Sequence, residues 1–260
     1  QAEIGDAVAE CIAEGIVTRE ELFISSKLNN PYHKPEHVRP ALEKTMKDLK
    51  VDYLDMYLMH WPTAFVHITG VQWKDYKGSW PPPHLARGIS IHDTWDALID
   101  CHKDGTVRTL GVCNFKIQLL HELMMGDHAM IPHVLQNEGH PYNQQWRQLE
   151  YVFCQKVGIQ FMAYSPLGYG AFPFVTVLAN PVLKEIADKH DKSTAQVALR
   201  WCVQRGVNTM PFSLRENELR QNLTVGEFAL DDEDMAKIRS LDLRHHYLDP
   251  YDWYGLPLWD

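Results

Sequence analysis

The sequence has no unbroken apolar stretch of about 18 residues, so no segment of it reads as a transmembrane helix. It has no Cys-x-x-Cys pair and no HExxH. Its five cysteines (Cys11, Cys101, Cys113, Cys154 and Cys202) are odd in number and scattered. That spacing argues against a disulfide framework and a zinc centre, and reads as a reduced, cytoplasmic protein without a metal. His245 and His246 are adjacent in the tail, a poor geometry for shared ligation. The absence of a GxSxG elbow and of a P-loop argues against an α/β-hydrolase and a P-loop nucleotide enzyme. Positive charge is also scarce: 25 Lys and Arg face 34 Asp and Glu, for a net charge of −9, which disfavours nucleic acid and anionic membrane as partners. No secretory signal pattern is present. There is no initiator Met either. The chain opens at Gln1 inside a helical periodicity (Ile4, Ala7, Val8, Cys11, Ile12), and the expectation is that further sequence precedes it.

What is present is an ordinary globular composition, 45% hydrophobic over 260 residues, enough for a sizeable core in a single domain spanning 1–260. Six short apolar runs alternate with longer amphipathic stretches. The runs are Leu22–Ser26, Tyr53–Met59, Thr109–Val112, His133–Gln136, Ile159–Tyr164 and Val207–Pro211, and their length and content suit buried parallel strands. Helical stripes lie between them: Val38, Ala41, Leu42, Met46 and Leu49; Trp95, Leu98, Ile99 and His102; Leu119, Leu120, Leu123 and Met124; Trp146, Leu149 and Phe153. Ser193 is predicted to cap a helix through Val197, Ala198 and Trp201, and Asp231 a last helix through Met235, Ile238 and Leu241. Trp73–Arg87 and Gly168–Asn180 read as long loops, and the tail Arg244–Asp260 carries no helical stripe. Repeated strand–helix units predict a parallel α/β sheet. An open doubly wound sheet would accommodate six strands. A (β/α)8 TIM barrel would need two more, upstream of Gln1. No GxGxxG follows any run, which argues against a Rossmann dinucleotide site.

Each run ends on residues too polar for a core: Lys27; His60 with Trp61; Cys113 with Asn114; Gln136; Tyr164 with Ser165; Ser213. Taken singly, each has an ordinary explanation, as a solvated charge, a satisfied core histidine or an amide bonding loop backbone. Taken together they place functional groups at six consecutive strand ends, where α/β sheets and barrels bind their ligands.

Four segments carry a family resemblance: YLDMYLMHWP at Tyr53–Pro62, LGVCNF at Leu110–Phe115, QNEGHPY at Gln136–Tyr142 and AYSPLG at Ala163–Gly168. With the DPYDWYGLPLW tail at Asp249–Trp259, the chain resembles the aldo-keto reductases of the xylose- and aldose-reductase-like branch, less the N-terminal part of the barrel. The resemblance implies an oxidoreductase that reduces aldehydes and ketones to alcohols with NADP(H), taking a small carbonyl substrate. It implies a catalytic tetrad of Asp, Tyr, Lys and His. Lys27 matches the lysine that lowers the phenol pKa of the Tyr, and His60 the histidine that orients the carbonyl. Asn114 and Gln136 would bond the nicotinamide carboxamide and Tyr164 would stack on its ring. Ser165 and Leu167 would line the pyrophosphate path, Ser213 and Asn222 would serve the adenosine end, and Trp61 would wall the substrate pocket.

The sequence departs from that pattern in three places. The tetrad's Asp and Tyr, with the first two strands, fall upstream of Gln1. Where the family has Lys-Ser and then an Arg to grip the adenosine 2′-phosphate, this chain has Phe212-Ser213 and Glu218. Arg215 or Arg220 would have to compensate, or an acid here would accept a hydrogen bond from the ribose hydroxyl of NAD(H), or else cofactor binding has been lost. Cys113 replaces the usual Ser beside Asn114. Two functions therefore stand: a carbonyl reductase, or a pseudoenzyme that keeps the fold as a structural or protein-interaction module.

Overall fold

The computed structural model describes every residue except 71–83, 145–152, 169–175, 255–257 and 259–260. The body of the first predicted loop, the Trp146–Leu149 part of one predicted helix, the start of the second loop and the end of the tail lie outside the described residues. The chain forms two compact units, Gln1–Val134 with Pro250–Asp260, and Leu135–Asp249.

In the first unit, helix α1 (Ala2–Ala13) precedes β1 (Ser25–Leu28), α2 (Pro35–Leu49), β2 (Leu54–Met59), α3 (Ile91–Lys103), β3 (Val107–Cys113) and α4 (Ile117–Met124). β1 pairs parallel with β2, Lys27 opposite Leu58, and β2 pairs parallel with β3, Tyr57 opposite Leu110. Every residue of β2 is buried, as in a parallel strand covered on both faces. β4 (Val134–Glu138) begins at the last residue of this unit, beside β3, where the His133 N–H donates to the Leu110 carbonyl. The contact is close enough to demand glycine. A Cβ on Gly111 would lie 2.4 Å from the Val134 carbonyl oxygen and 2.7 Å from Leu58 Cδ2. Gly111→Ala is expected to destabilise the protein by about 1–3 kcal/mol, the usual cost of overpacking. A denaturant midpoint unchanged from wild type would contradict this.

In the second unit, β4 continues to Glu138, followed by β5 (Gln160–Tyr164), α5 (Pro181–His190), α6 (Thr194–Gln204), β6 (Asn208–Met210), α7 (Glu216–Leu223) and α8 (Asp232–Arg239). The Gly139 N–H donates to the Tyr164 carbonyl, which sets β5 beside β4, and β5 pairs parallel with β6, Ala163 opposite Thr209. Ser193 and Asp231 cap α6 and α8 with full capping boxes, as their sequence predicts. Strand order in the sheet is chain order, β1 to β6. A doubly wound sheet reverses direction at a switch point, so this order selects the barrel pattern, with six of its eight strands.

Two expectations need correction. The first strand is Ser25–Leu28, not Leu22–Ser26. The backbone of residues 22–24 is engaged by an Arg19–Asp55 clamp: Arg19 Nη1 donates to the Leu22 carbonyl, the Ile24 N–H donates to Asp55 Oδ2, and Phe23 is left exposed. α1 is a helix as expected, with Ile4 of its apolar stripe 59% exposed. The helix approaches α2 through Gly5, where a Cβ would sit 2.3 Å from the Asp48 carbonyl oxygen. The tail contains a short helix, α9 (Pro250–Tyr254), started by a proline at its first turn rather than by periodicity. No helix of the described residues is long and apolar enough to cross a membrane.

Candidate active site at the strand ends

In the first unit the residues at three strand ends are linked by hydrogen bonds. Lys27 sits in β1, and the Leu28 carbonyl that follows accepts from the His60 N–H at 3.0 Å. His60 Nδ1 meets Asn29 Oδ1 at 2.9 Å, leaving Nε2 as the ring nitrogen for a ligand. Asn114 Nδ2 donates to the His60 carbonyl at 2.8 Å and to Cys113 Sγ at 3.2 Å. Asn114 adopts φ +63, a left-handed conformation that Asn tolerates better than most residues. Trp61 is buried, its ring centroid 6.1 Å from that of His60. Among the described residues, the Lys27 ammonium has no carboxylate partner. Asn29 was not among the residues singled out from the sequence. Its signal is its place, immediately after the Lys27–Leu28 pair that ends β1.

Burial lowers the His60 pKa to about 3, with Lys27 and then His33 adding to the effect. Burial alone lowers that of His33 to about 3. Both rings are therefore neutral at ordinary pH, whereas in the unfolded chain they protonate near 6.5. Below about pH 6.5 the unfolded state binds more protons, so their contribution to stability is complete above that pH. It is lost as the pH falls toward 3, at about 1.4 kcal/mol per pH unit for each ring. Stability is thus expected to drop by about 2–3 kcal/mol between pH 7.5 and 5.5, before unfolded-state carboxylates begin to titrate. A flat urea-unfolding free energy over that interval would refute the neutral-histidine assignment.

In the second unit, Gln136 is buried at the heart of β4, its Nε2 2.9 Å from Met162 Sδ. β4 runs two residues past it, so Gln136 lies inside the strand rather than closing it. Tyr164 ends β5 half-buried, and Ser165 follows at φ +48. A tight turn with Gly168 N–H donating to the Ser165 carbonyl at 2.9 Å carries half-buried Leu167. After β6, Phe212 is 81% exposed, and Ser213 Oγ accepts from the Arg215 N–H just before α7. Glu218 accepts from Ser213 Oγ and pairs with Arg215, and those two bonds hold its carboxyl below the usual carboxylate range. Arg220, the other candidate cation, is paired with Glu216. Asn222 stands half-buried near the end of α7. Among the described residues no group of three or more His, Cys, Asp or Glu side chains is placed to hold a metal.

The tail adds a feature that the sequence did not disclose. Glu138, the last residue of β4, is fully buried and faces His140 and His246.

The profile of the aldo/keto reductase family matches residues 2–243. The NADPH-dependent D-xylose reductase of Meyerozyma guilliermondii is 38% identical over 99% of this chain and 84% of its own length. Aldose reductase B of Dictyostelium discoideum is 40% identical over the whole of this chain and 82% of its own. The NADH-dependent D-xylose reductase of Candida parapsilosis is 35% identical over 99% of this chain and 82% of its own. The chain belongs to the aldo/keto reductase family.

Proposed function

From that membership we propose that the protein reduces small aldehydes and ketones to alcohols at the expense of a reduced nicotinamide cofactor. The observation that carries the proposal is the hydrogen-bonded series Asn29–His60–Asn114 beside Lys27, because it fixes a neutral imidazole next to an ammonium at the carboxyl ends of parallel strands. The chemistry present suits the nicotinamide half of such a cofactor. The family resemblance assigns Asn114 and Gln136 to the carboxamide and Tyr164 to the ring; in its own unit each amide is buried and the Tyr164 ring half-buried. The left-handed turn at Ser165 leads into Leu167, on the path assigned to the pyrophosphate.

When bound, the reduced nicotinamide supplies hydride to the carbonyl carbon. The residues of this chain handle the oxygen. His60, neutral and fixed through Nδ1, positions it. Lys27 contributes an ammonium that lowers the pKa of a neighbouring hydroxyl and eases its loss of a proton. In the family that hydroxyl is a tyrosine phenol held in a tetrad with an Asp, and both positions fall upstream of Gln1. Trp61 closes the substrate side with a buried indole.

The adenosine end favours NADH. A 2′-phosphate dianion needs cations, yet Arg215 and Arg220 each already face a glutamate, Phe212 brings no charge, and Glu218 repels the dianion. Ser213 and Glu218 together can accept and donate to a ribose hydroxyl instead. Among the relatives one is named NADPH-dependent and another NADH-dependent, so both forms occur in this branch. We place the protein in the cytoplasm, a reading that its five free cysteines support.

A further inference from the structure

Glu138 lies beyond the residues that bear on a nicotinamide cofactor, and its surroundings give it a separate task. Its carboxylate is fully buried at the end of β4. Oε1 accepts from His140 Nε2 at 2.8 Å and from the Tyr247 N–H at 2.8 Å; Oε2 meets His246 Nδ1 and the Leu248 N–H, each at 3.3 Å. Burial opposes the charge, but the bonds from His140 and His246 outweigh it and hold the carboxyl well below its usual range. One side chain thus gathers three consecutive tail residues. The tail and the two residues before it are also joined to the segment after β4: the Leu243 and His245 N–H groups both donate to the Tyr142 carbonyl, the Gln144 N–H donates to Asp242 Oδ1, and Asn143 Nδ2 meets His246 Nδ1 at 3.2 Å.

The tail residue held most closely is Tyr247, which is 3% exposed and packs its ring against His140 and His245. The far side of that ring meets Gly168. A Cβ there would lie 2.8 Å from Tyr247 Cε2, so only glycine allows the approach. Gly168 closes the turn that begins at Ser165 and carries Leu167. The connection runs from Glu138 through the Tyr247 backbone and ring to the turn after β5. We propose that Glu138 is a positioning residue: it anchors the tail so that Tyr247 supports the Ser165–Gly168 turn and sets the affinity for the nicotinamide cofactor.

The inference rests on the reductase reading and is tested by cofactor titration of the full-length protein, with NADH as the probe. Glu138→Gln keeps the shape but loses the charge and one acceptor, and is expected to raise the NADH dissociation constant by about tenfold, with kcat at saturating NADH within twofold of wild type. Gly168→Ala pushes the turn and the ring apart and is expected to act in the same way. Because both changes act on one connection, the double variant should be weaker than the product of the two single effects. Glu138→Asp, which retains the charge, should recover part of the affinity. If Glu138→Gln does not fold, Gly168→Ala and Tyr247→Leu report on the same contact. An unchanged dissociation constant in folded variants, or a loss confined to kcat, would overturn the positioning role while leaving the reductase reading intact. A wild-type protein that binds neither NADH nor NADPH would remove both.

Discussion

Lys27→Met is expected to lower kcat by about two to four orders of magnitude while leaving the NADH dissociation constant within a few-fold of wild type. The magnitude is that of a group acting on proton transfer. Methionine keeps the length and much of the apolar stem of lysine, so the place of Lys27 in β1, opposite Leu58, should survive the change. What is lost is the charge. An unassisted phenol holds its proton with a pKa near 10, and a neighbouring ammonium stabilises the phenolate left when the proton goes. The variant has a second consequence. Lys27 helps to keep His60 neutral, so its removal should raise the His60 pKa, although burial is the larger cause and the ring should remain neutral at pH 7. Steady-state rates with saturating NADH and an aromatic aldehyde, alongside a binding titration, separate the two parameters. Undiminished turnover in Lys27→Met would sink the proposed proton chemistry, and a loss of NADH affinity without a loss of kcat would move Lys27 into the binding site.

The second large effect is cofactor choice. The wild-type protein is expected to favour NADH over NADPH by at least about tenfold in kcat/KM, and the double variant Phe212→Lys, Glu218→Arg is expected to reverse that preference by about a hundredfold or more. The reasoning is electrostatic. Glu218 sits in the first turn of α7, where the partial positive charge of a helix N-terminus would otherwise welcome a phosphate. With Glu216 it cancels that advantage, and it engages Arg215 and Ser213 in the process. These ion pairs are exposed and each is worth little to stability, so removing them should leave folding nearly unchanged. Arginine at 218 would release Ser213 and Arg215 and add a fork suited to phosphate, while lysine at 212 adds a point charge where an exposed Phe now contributes none. Equal use of both cofactors by the wild type would show that Arg215 leaves Glu218 for the phosphate. A double variant with unchanged preference would show that the adenosine end binds elsewhere.

Much of the strand pattern was legible because parallel strands buried on both faces read as continuous apolar runs, as β2 does. The first run misled because Leu22 and Phe23 are apolar without joining the sheet, and Ile24 meets β2 only through its carbonyl, which accepts from the Asp55 and Met56 N–H groups. Their backbone is held by Arg19 and Asp55, an arrangement that a periodicity cannot reveal. α1 was legible as a helix, while its approach to α2 is made by Gly5, a residue with no side chain to mark a face. Ser193 and Asp231 were legible because capping is local, written within four residues. In the candidate site, Lys27, His60, Trp61, Asn114 and Gln136 were singled out as polar or special residues closing apolar runs, although β4 runs two residues past Gln136. Asn29 and Glu138 were not. Each acts on a partner distant in sequence, His60 for one and the Tyr247–Leu248 backbone for the other, and pairings of that kind are set by topology.

The central claim is that this chain binds a nicotinamide cofactor at its strand ends, and the most direct test is a titration of the full-length protein with NADH and with NADPH, followed by quenching of its tryptophan fluorescence. The account predicts saturable binding of both, tighter for NADH, and weakened in an Asn114→Ala, Gln136→Ala double variant that still unfolds cooperatively. No saturable binding of either cofactor would contradict the account, and the fold would then stand as a structural or interaction module built on a reductase scaffold.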